Sequence, residues 1–256
     1  MSQRSGANFL AGKSLRSRLK RVAIATVLTP VQRYLLGPAK LRRNSRKAQR
    51  HLEIGPGAKR IAGFETFNVI GGRHVDYVGN ARDQLPFADN TFDLLYASHV
   101  LEHIAWYRSE ETLREWARVL KPGGVLEIWV PDGLRIAEAF VAAERSGSRD
   151  LEQDGWWRFN QDRDPCRWMA GRMFSYGDGT GDTSHFNWHV ALFSERYLGN
   201  LMRHVGLTDV RRMGRDEVRG FDHGWINLGV AGRKPLGVGE DERSRSVSLH
   251  ALEHGA

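Results

Sequence analysis

Three proton-handling side chains crowd residues 98–103 (SHVLEH) of this 256-residue chain. Histidine takes up and releases protons near neutrality. His99 and His103, with the Glu102 carboxylate between them, are therefore candidates for acid–base work on a bound substrate. Upstream, Glu53 lies inside the apolar run HLEI, directly ahead of Gly55-Pro56-Gly57. A carboxylate there suits an ammonium or hydroxyl ligand better than it suits a structural strand. A turn of this glycine type lets backbone approach a ligand with no Cβ in the way. Downstream, His185 and His189 offer two further bases. With Asp182 they also have metal-ligand chemistry, but no flanking pattern supports such a site, and no metal is expected.

These residues need strands to carry them and helices to space the strands. Apolar runs predict strands over 49–54, 66–70, 74–79, 92–97, 125–130, 210–213 and 225–231. The third closes on Asn80-Ala81-Arg82-Asp83. Ser109 is expected to cap a helix with Glu110 and Glu111 in its first turn and Leu113, Trp116, Ala117 and Leu120 on one face. Lys121-Pro122-Gly123-Gly124 ends it. Ser194 caps a later helix that turns Tyr197, Leu198, Leu201, Met202 and Val205 inward and stops at Gly206. The alternation predicts an α/β fold. Its sheet is Rossmann-like, doubly wound, mostly parallel and seven-stranded, with an antiparallel last strand and ligands at the carboxyl strand ends.

Residues 146–190 form a connection too long for a plain turn, and they read as an inserted lid. Trp156, Trp157, Phe159, Trp168, Phe174, Tyr176, Phe186 and Trp188 either stack on a sugar-like ligand or make the lid's own small core. Arg158, Arg163, Arg167 and Arg172 bind an anionic acceptor or pair with Asp154, Asp162 and Asp164.

The charge is uneven. Residues 1–50 hold 13 Lys and Arg and no Asp or Glu, whereas the other 206 hold 25 against 30. The basicity thus belongs to an N-terminal arm and not to the domain at 51–235. Leu15, Leu19 and Val22 beside Arg16, Arg18, Lys20 and Arg21 predict a basic amphipathic helix. It either packs on the domain or lies on an anionic membrane surface. Nucleic-acid contact and an organelle transit peptide are the weaker alternatives. Residues 236–256 lack periodicity and are expected to be a disordered tail. The single cysteine, Cys166, excludes an internal disulfide and a Cys-rich zinc site and fits a reducing, cytoplasmic setting.

The ordered segments LEIGPG, LPF…FD, HVLEH and RVLKPGG resemble class I S-adenosylmethionine-dependent methyltransferases. The likeness is to the methyltransferase-11-like branch that includes bacterial small-molecule and polysaccharide-biosynthesis enzymes, and it covers about 51–235. The resemblance implies S-adenosyl-L-methionine as cofactor. It places Glu53, Gly55, Pro56 and Gly57 at the methionine end, and Ser98 and His99 along the pocket. Asn68, Asn80 and Ala81 fall on the ribose and adenine side. It implies transfer to a small-molecule or glycan-like acceptor, with O-methylation expected and His99, His103, Glu102 or His185 as catalytic candidates.

Two departures stand out. The second strand ends Phe67-Asn68-Val69-Ile70 without the family's acid, and Asn80 replaces the usual Asp. An amide is a weaker acceptor than a carboxylate, so weaker cofactor binding is implied. The helix from Gly57 to the second strand is also short, with about a dozen residues to Val69. An RNA methyltransferase is disfavoured by the charge map and by the lack of an Asn/Asp-Pro-Pro-aromatic motif. A catalytically silent fold that binds a partner is the remaining alternative.

Overall fold

The computed structural model describes residues 24–57, 59–148, 151 and 159–237. Residues 1–23, the Trp156-Trp157-Arg158 cluster with Asp154, and the tail from 238 onward lie outside the described residues. The readings attached to them are therefore carried by sequence alone.

Seven strands form one sheet: β1 His51–Ile54, β2 Phe64–Asn68, β3 Tyr77–Val78, β4 Phe92–Ser98, β5 Leu120–Pro131, β6 Thr208–Met213 and β7 Asn227–Arg233. Their order is β3-β2-β1-β4-β5-β7-β6. The first five run parallel, and β7 runs antiparallel to both β5 and β6. The order reverses between β1 and β4. The crevice outside the carboxyl ends at such a switch point is where open α/β sheets bind ligands.

A helical run over 24–44 (α1) alternates π turns, Ile24–Leu28 and Gln32–Leu36, with α segments Thr29–Val31 and Gly37–Asn44. The other long helices are α2 Ser109–Val119, α3 Gly133–Ser146, α4 Pro165–Phe174 and α5 Glu195–His204. Leu52, Ile54, Leu95, Leu113, Trp116, Leu126, Ile128, Leu198 and Met202 are almost wholly buried together between the sheet and its helices.

The described half of the arm packs on the domain. Buried Gln32 donates through Nε2 to the carbonyls of Gly72 and Val75 and accepts from the Gly72 amide. Asn44 donates to the Tyr77 hydroxyl, which donates to Glu65, and Glu65 takes both prongs of the Arg50 guanidinium at 2.9 Å. Val27, Tyr34 and Leu35 on the same helix remain exposed. Among the described residues no helix is long and apolar enough to cross a membrane.

Four local expectations are corrected. The second strand begins at Phe64, because the Arg50 guanidinium neutralises Glu65 inside the sheet and lets a charged residue sit there. The third is only two residues long. No helix occurs among the described residues between β1 and β2; a turn makes this parallel crossover, where a helix is the usual solution. Ser109 is not a cap. The 3-10 turn Trp106–Arg108 feeds straight into α2, so the position ahead of the helix is Arg108 in helical geometry and no side chain caps it.

Ser194 does cap α5, accepting the Tyr197 amide at 3.3 Å. Ser194→Ala should therefore lower stability by about 1 kcal/mol, read as a shift of the urea midpoint without change of slope. An unchanged midpoint would remove the cap from the account.

Candidate functional site

Each side of the switch point ends in left-handed backbone. Gly55, directly after β1, has φ +71°, and a Cβ built on it would run into the Val100 side chain. His99, directly after β4, has φ 53°, a region that non-glycine residues rarely occupy. Between them open two adjoining lobes. The first, about 500 Å³, is lined by Gly55, Pro56, Phe67, Asn68, Asn80, Ala81, His99 and His103, with Ser184, Phe186 and Asn187 from the lid segment. The second, about 920 Å³, is lined by Glu53, Gly55, Gly57, Lys59, Ser98, His99, Arg219 and His223. Gly55 and His99 border both lobes.

Every residue assigned to cofactor binding from sequence thus lines one lobe or the other. Glu53 is buried and accepts the Ile61 amide at 3.0 Å. Burial pushes its pKa up, and that hydrogen bond opposes the rise. Asn68 donates to the Ile70 carbonyl, and Asn80 accepts the Arg82 amide. Both amides are held in place by backbone.

His99 is held from both ends. Its Nδ1 lies 3.0 Å from Glu102 Oε1, and its Nε2 lies 2.8 Å from Asn227 Oδ1. Asn227 points its oxygen at the ring because its own Nδ2 donates to Asp222. Both ring nitrogens therefore face acceptors and carry protons. Burial opposes that charge, but the Glu102 carboxylate prevails and raises the His99 pKa. With both nitrogens turned to acceptors, the ring has no lone pair to spare and is poorly placed to act as base.

Glu102 is 1% exposed. Burial resists its ionisation, yet His99, then His103 and His189, hold its pKa well below the usual carboxylate range. His223 lies against His99 at a tilt of 33° with ring centroids 3.7 Å apart, and burial, then the neighbouring His99, pushes its pKa down to about 4.

His103 differs. Its Nδ1 lies 3.2 Å from the Trp188 carbonyl. A carbonyl only accepts, so that nitrogen holds the proton, and in the neutral ring the lone pair is on Nε2. His103 also lines the first lobe. His189 follows the same arrangement, with Nδ1 at 3.3 Å from the Arg172 carbonyl. Burial pushes its pKa down to about 4. It lines a third, apolar pocket of about 560 Å³ with Trp106, Met169, Met173 and Phe174.

His185 stacks on Phe186 and accepts the Asn187 amide, while Asp182 spends its carboxylate on Ser184. Asp182, His185 and His189, for which the sequence predicts no metal, are not brought together as a ligand set among the described residues. The aromatic group of the lid divides likewise. Trp168 is core, stacked on Trp225, whereas Phe186 faces the first lobe and Phe174 the apolar pocket. Arg167 pairs with Asp162 at 3.1 Å.

Sequence reasoning missed Asn227, Asp222 and His223. Asn227 carried the same signal as Glu53, a buried polar residue beside an apolar strand run, but its partner is 128 residues away.

The family described as "Methyltransferase domain" matches residues 47–128. A ubiquinone/menaquinone biosynthesis C-methyltransferase of Klebsiella pneumoniae is 47% identical over 72 residues, 27% of this chain and 28% of that protein. Its counterpart in Salmonella arizonae is 47% identical over 82 residues, 31% of each chain. The chain spans less than a third of the length of these relatives. Among solved structures, a SAM-dependent methyltransferase of Methanosarcina mazei aligns over 77% of this chain and 98% of its own, with 17% identity and TM-score 0.45. One from Thermotoga maritima aligns over 86% and 96%, with 19% identity and TM-score 0.41.

Proposed function

We propose that this chain, which belongs to the class I S-adenosylmethionine-dependent methyltransferases, moves a methyl group from S-adenosylmethionine to an oxygen of a small-molecule acceptor. The observation that carries the reading is the pair of lobes sharing Gly55 and His99 at the switch point. Glu53 would hold the ammonium of the cofactor, Asn68 its ribose hydroxyls and Asn80 its adenine amino group. Gly55 leaves room where a Cβ would meet Val100.

When bound, the cofactor supplies a methyl group already activated for displacement. The chain's own residues then have two tasks, to align the acceptor and to take its proton. His103 is the residue for the second, with a lone pair on Nε2 and a place on the lobe wall. The lid residues Ser184, Phe186 and Asn187 serve the first. We read 51–235 as the catalytic unit, with 146–190 closing over it. Exposed Val27, Tyr34 and Leu35 beside Arg33 support contact of the arm with an anionic membrane surface.

Transfer to carbon is the second reading. The curated relatives are named as C-methyltransferases, and the apolar pocket at His189 suits an aromatic body. The structure of the methylated product separates the two.

Calorimetric titration with S-adenosylmethionine and its demethylated product tests the reading, and micromolar binding is the expected result. No binding by folded protein would overturn it. Asn68→Asp should tighten binding roughly fivefold, because a charged acceptor gains about 1 kcal/mol over a neutral one. Unchanged or weaker binding would move the ribose contact elsewhere.

A further inference from the structure

We propose that Glu102, His103 and His189 form a site for one divalent transition-metal ion between the cofactor cleft and the apolar pocket. One ligating atom from each of the three lies within 4.8 Å of the others. Bonds of about 2.0–2.2 Å to imidazole and carboxylate are reached from there by drawing the side chains inward.

The carboxylate is the first reason. Glu102 is buried, and its only close hydrogen-bonding contact among the described residues is the His99 Nδ1–H, 3.0 Å from Oε1, which leaves Oε2 without a partner. Buried carboxylates rarely stay so unsatisfied.

The two imidazoles are the second. Each turns Nδ1 to a backbone carbonyl, Trp188 for His103 and Arg172 for His189. Ligating histidines are oriented this way, with the outer N–H on a carbonyl and the other nitrogen left for the ion.

The backbone is the third. The amides of Val190 and Ala191 both donate to the Glu102 carbonyl, at 2.8 and 3.1 Å, and the His189 amide donates to Phe174. Two distant segments are thereby pinned so that their ligands converge. Hydrophobic packing alone would not require this register.

Two imidazoles and one carboxylate suit zinc, iron, cobalt or manganese and leave coordination positions open, whereas magnesium and calcium prefer all-oxygen shells. The flanking cavities say what fills the open side. His103 faces the cofactor cleft and His189 the apolar pocket. An acceptor with an oxygen donor on an apolar body, of the phenol or enol class, spans both. The ion would hold that oxygen and lower its pKa; with His103 Nε2 on the ion, the proton passes to solvent and not to that nitrogen. Only this role rests on the methyltransferase reading; the site itself does not.

The test uses the full-length chain stripped with chelator and titrated with Co²⁺, followed by visible absorption. One equivalent should bind with the spectrum of a mixed nitrogen–oxygen site. His189→Ala and Glu102→Gln should each weaken binding by about a hundredfold or more, since even outer-sphere changes cost about 10–100-fold. Absence of stoichiometric binding by folded wild-type protein overturns the site. So does binding that survives intact in His189→Ala, a variant outside the buried Glu102–His99 contact. The same samples are titrated with S-adenosylmethionine, and His189→Ala should bind it as wild type does. Cobalt bound without any cofactor affinity would retire the function while upholding the site.

Discussion

Gly55→Val is expected to weaken S-adenosylmethionine binding by about 30-fold or more. The backbone at 55 has φ +71°, which costs a β-carbon residue about 1–2 kcal/mol. The added side chain also collides with Val100, and forced overpacking adds about 1–3 kcal/mol. Relief requires the turn to move, and the turn borders both lobes. A combined penalty of roughly 2–5 kcal/mol corresponds to a loss of about 30-fold to several thousand-fold. Gly147, in the same left-handed region at φ +66° after α3 and outside both lobes, supplies the internal control: a Cβ there meets nothing within 4 Å, so Gly147→Ala should keep the fold and the affinity. Calorimetry on both variants, with circular dichroism to establish folding, decides the matter. Near-wild-type affinity in Gly55→Val would place the cofactor away from the switch point.

Glu102→Ala is expected to be the most destabilising single change in the site. It removes the counter-charge of His99 and opens a hole beneath His103 and His189. Breaking a buried pair from one side costs about 3–5 kcal/mol, because the remaining charge stays desolvated. For a chain whose total stability is on the order of 5–15 kcal/mol, that is a large share. Urea unfolding measures it, and a loss below about 1 kcal/mol would mean that His99 is neutral and the pairing incidental. Glu102→Gln keeps the shape but not the charge, so the difference between the two variants separates electrostatics from packing.

Much of the sheet could be read from the chain because its central strands are short apolar runs bounded by glycine turns. The errors have physical causes. Glu65 interrupts the apolar pattern of β2, and only the distant Arg50 makes it acceptable there. Ser109 has the composition of a cap, but the turn ahead of it is already helical. The same division holds in the site. Glu53, Gly55 and His99 announce themselves locally, by being out of place in an apolar strand or at its end. The hold of Asn227 on His99 and the meeting of His189 with Glu102 arise from contacts spanning more than 80 residues, and no local spacing encodes them.

The double hydrogen bond from Val190 and Ala191 to the Glu102 carbonyl also fixes how the site breathes. Moving the lid at 190 would strip two donors from one buried carbonyl at once. If residues 146–190 close over the cleft as proposed, this pin puts their hinge upstream of His189 and leaves the pairing of His103 with His189 intact during opening. Amide exchange at Val190 and Ala191 accordingly belongs to global unfolding and not to the opening of the lid.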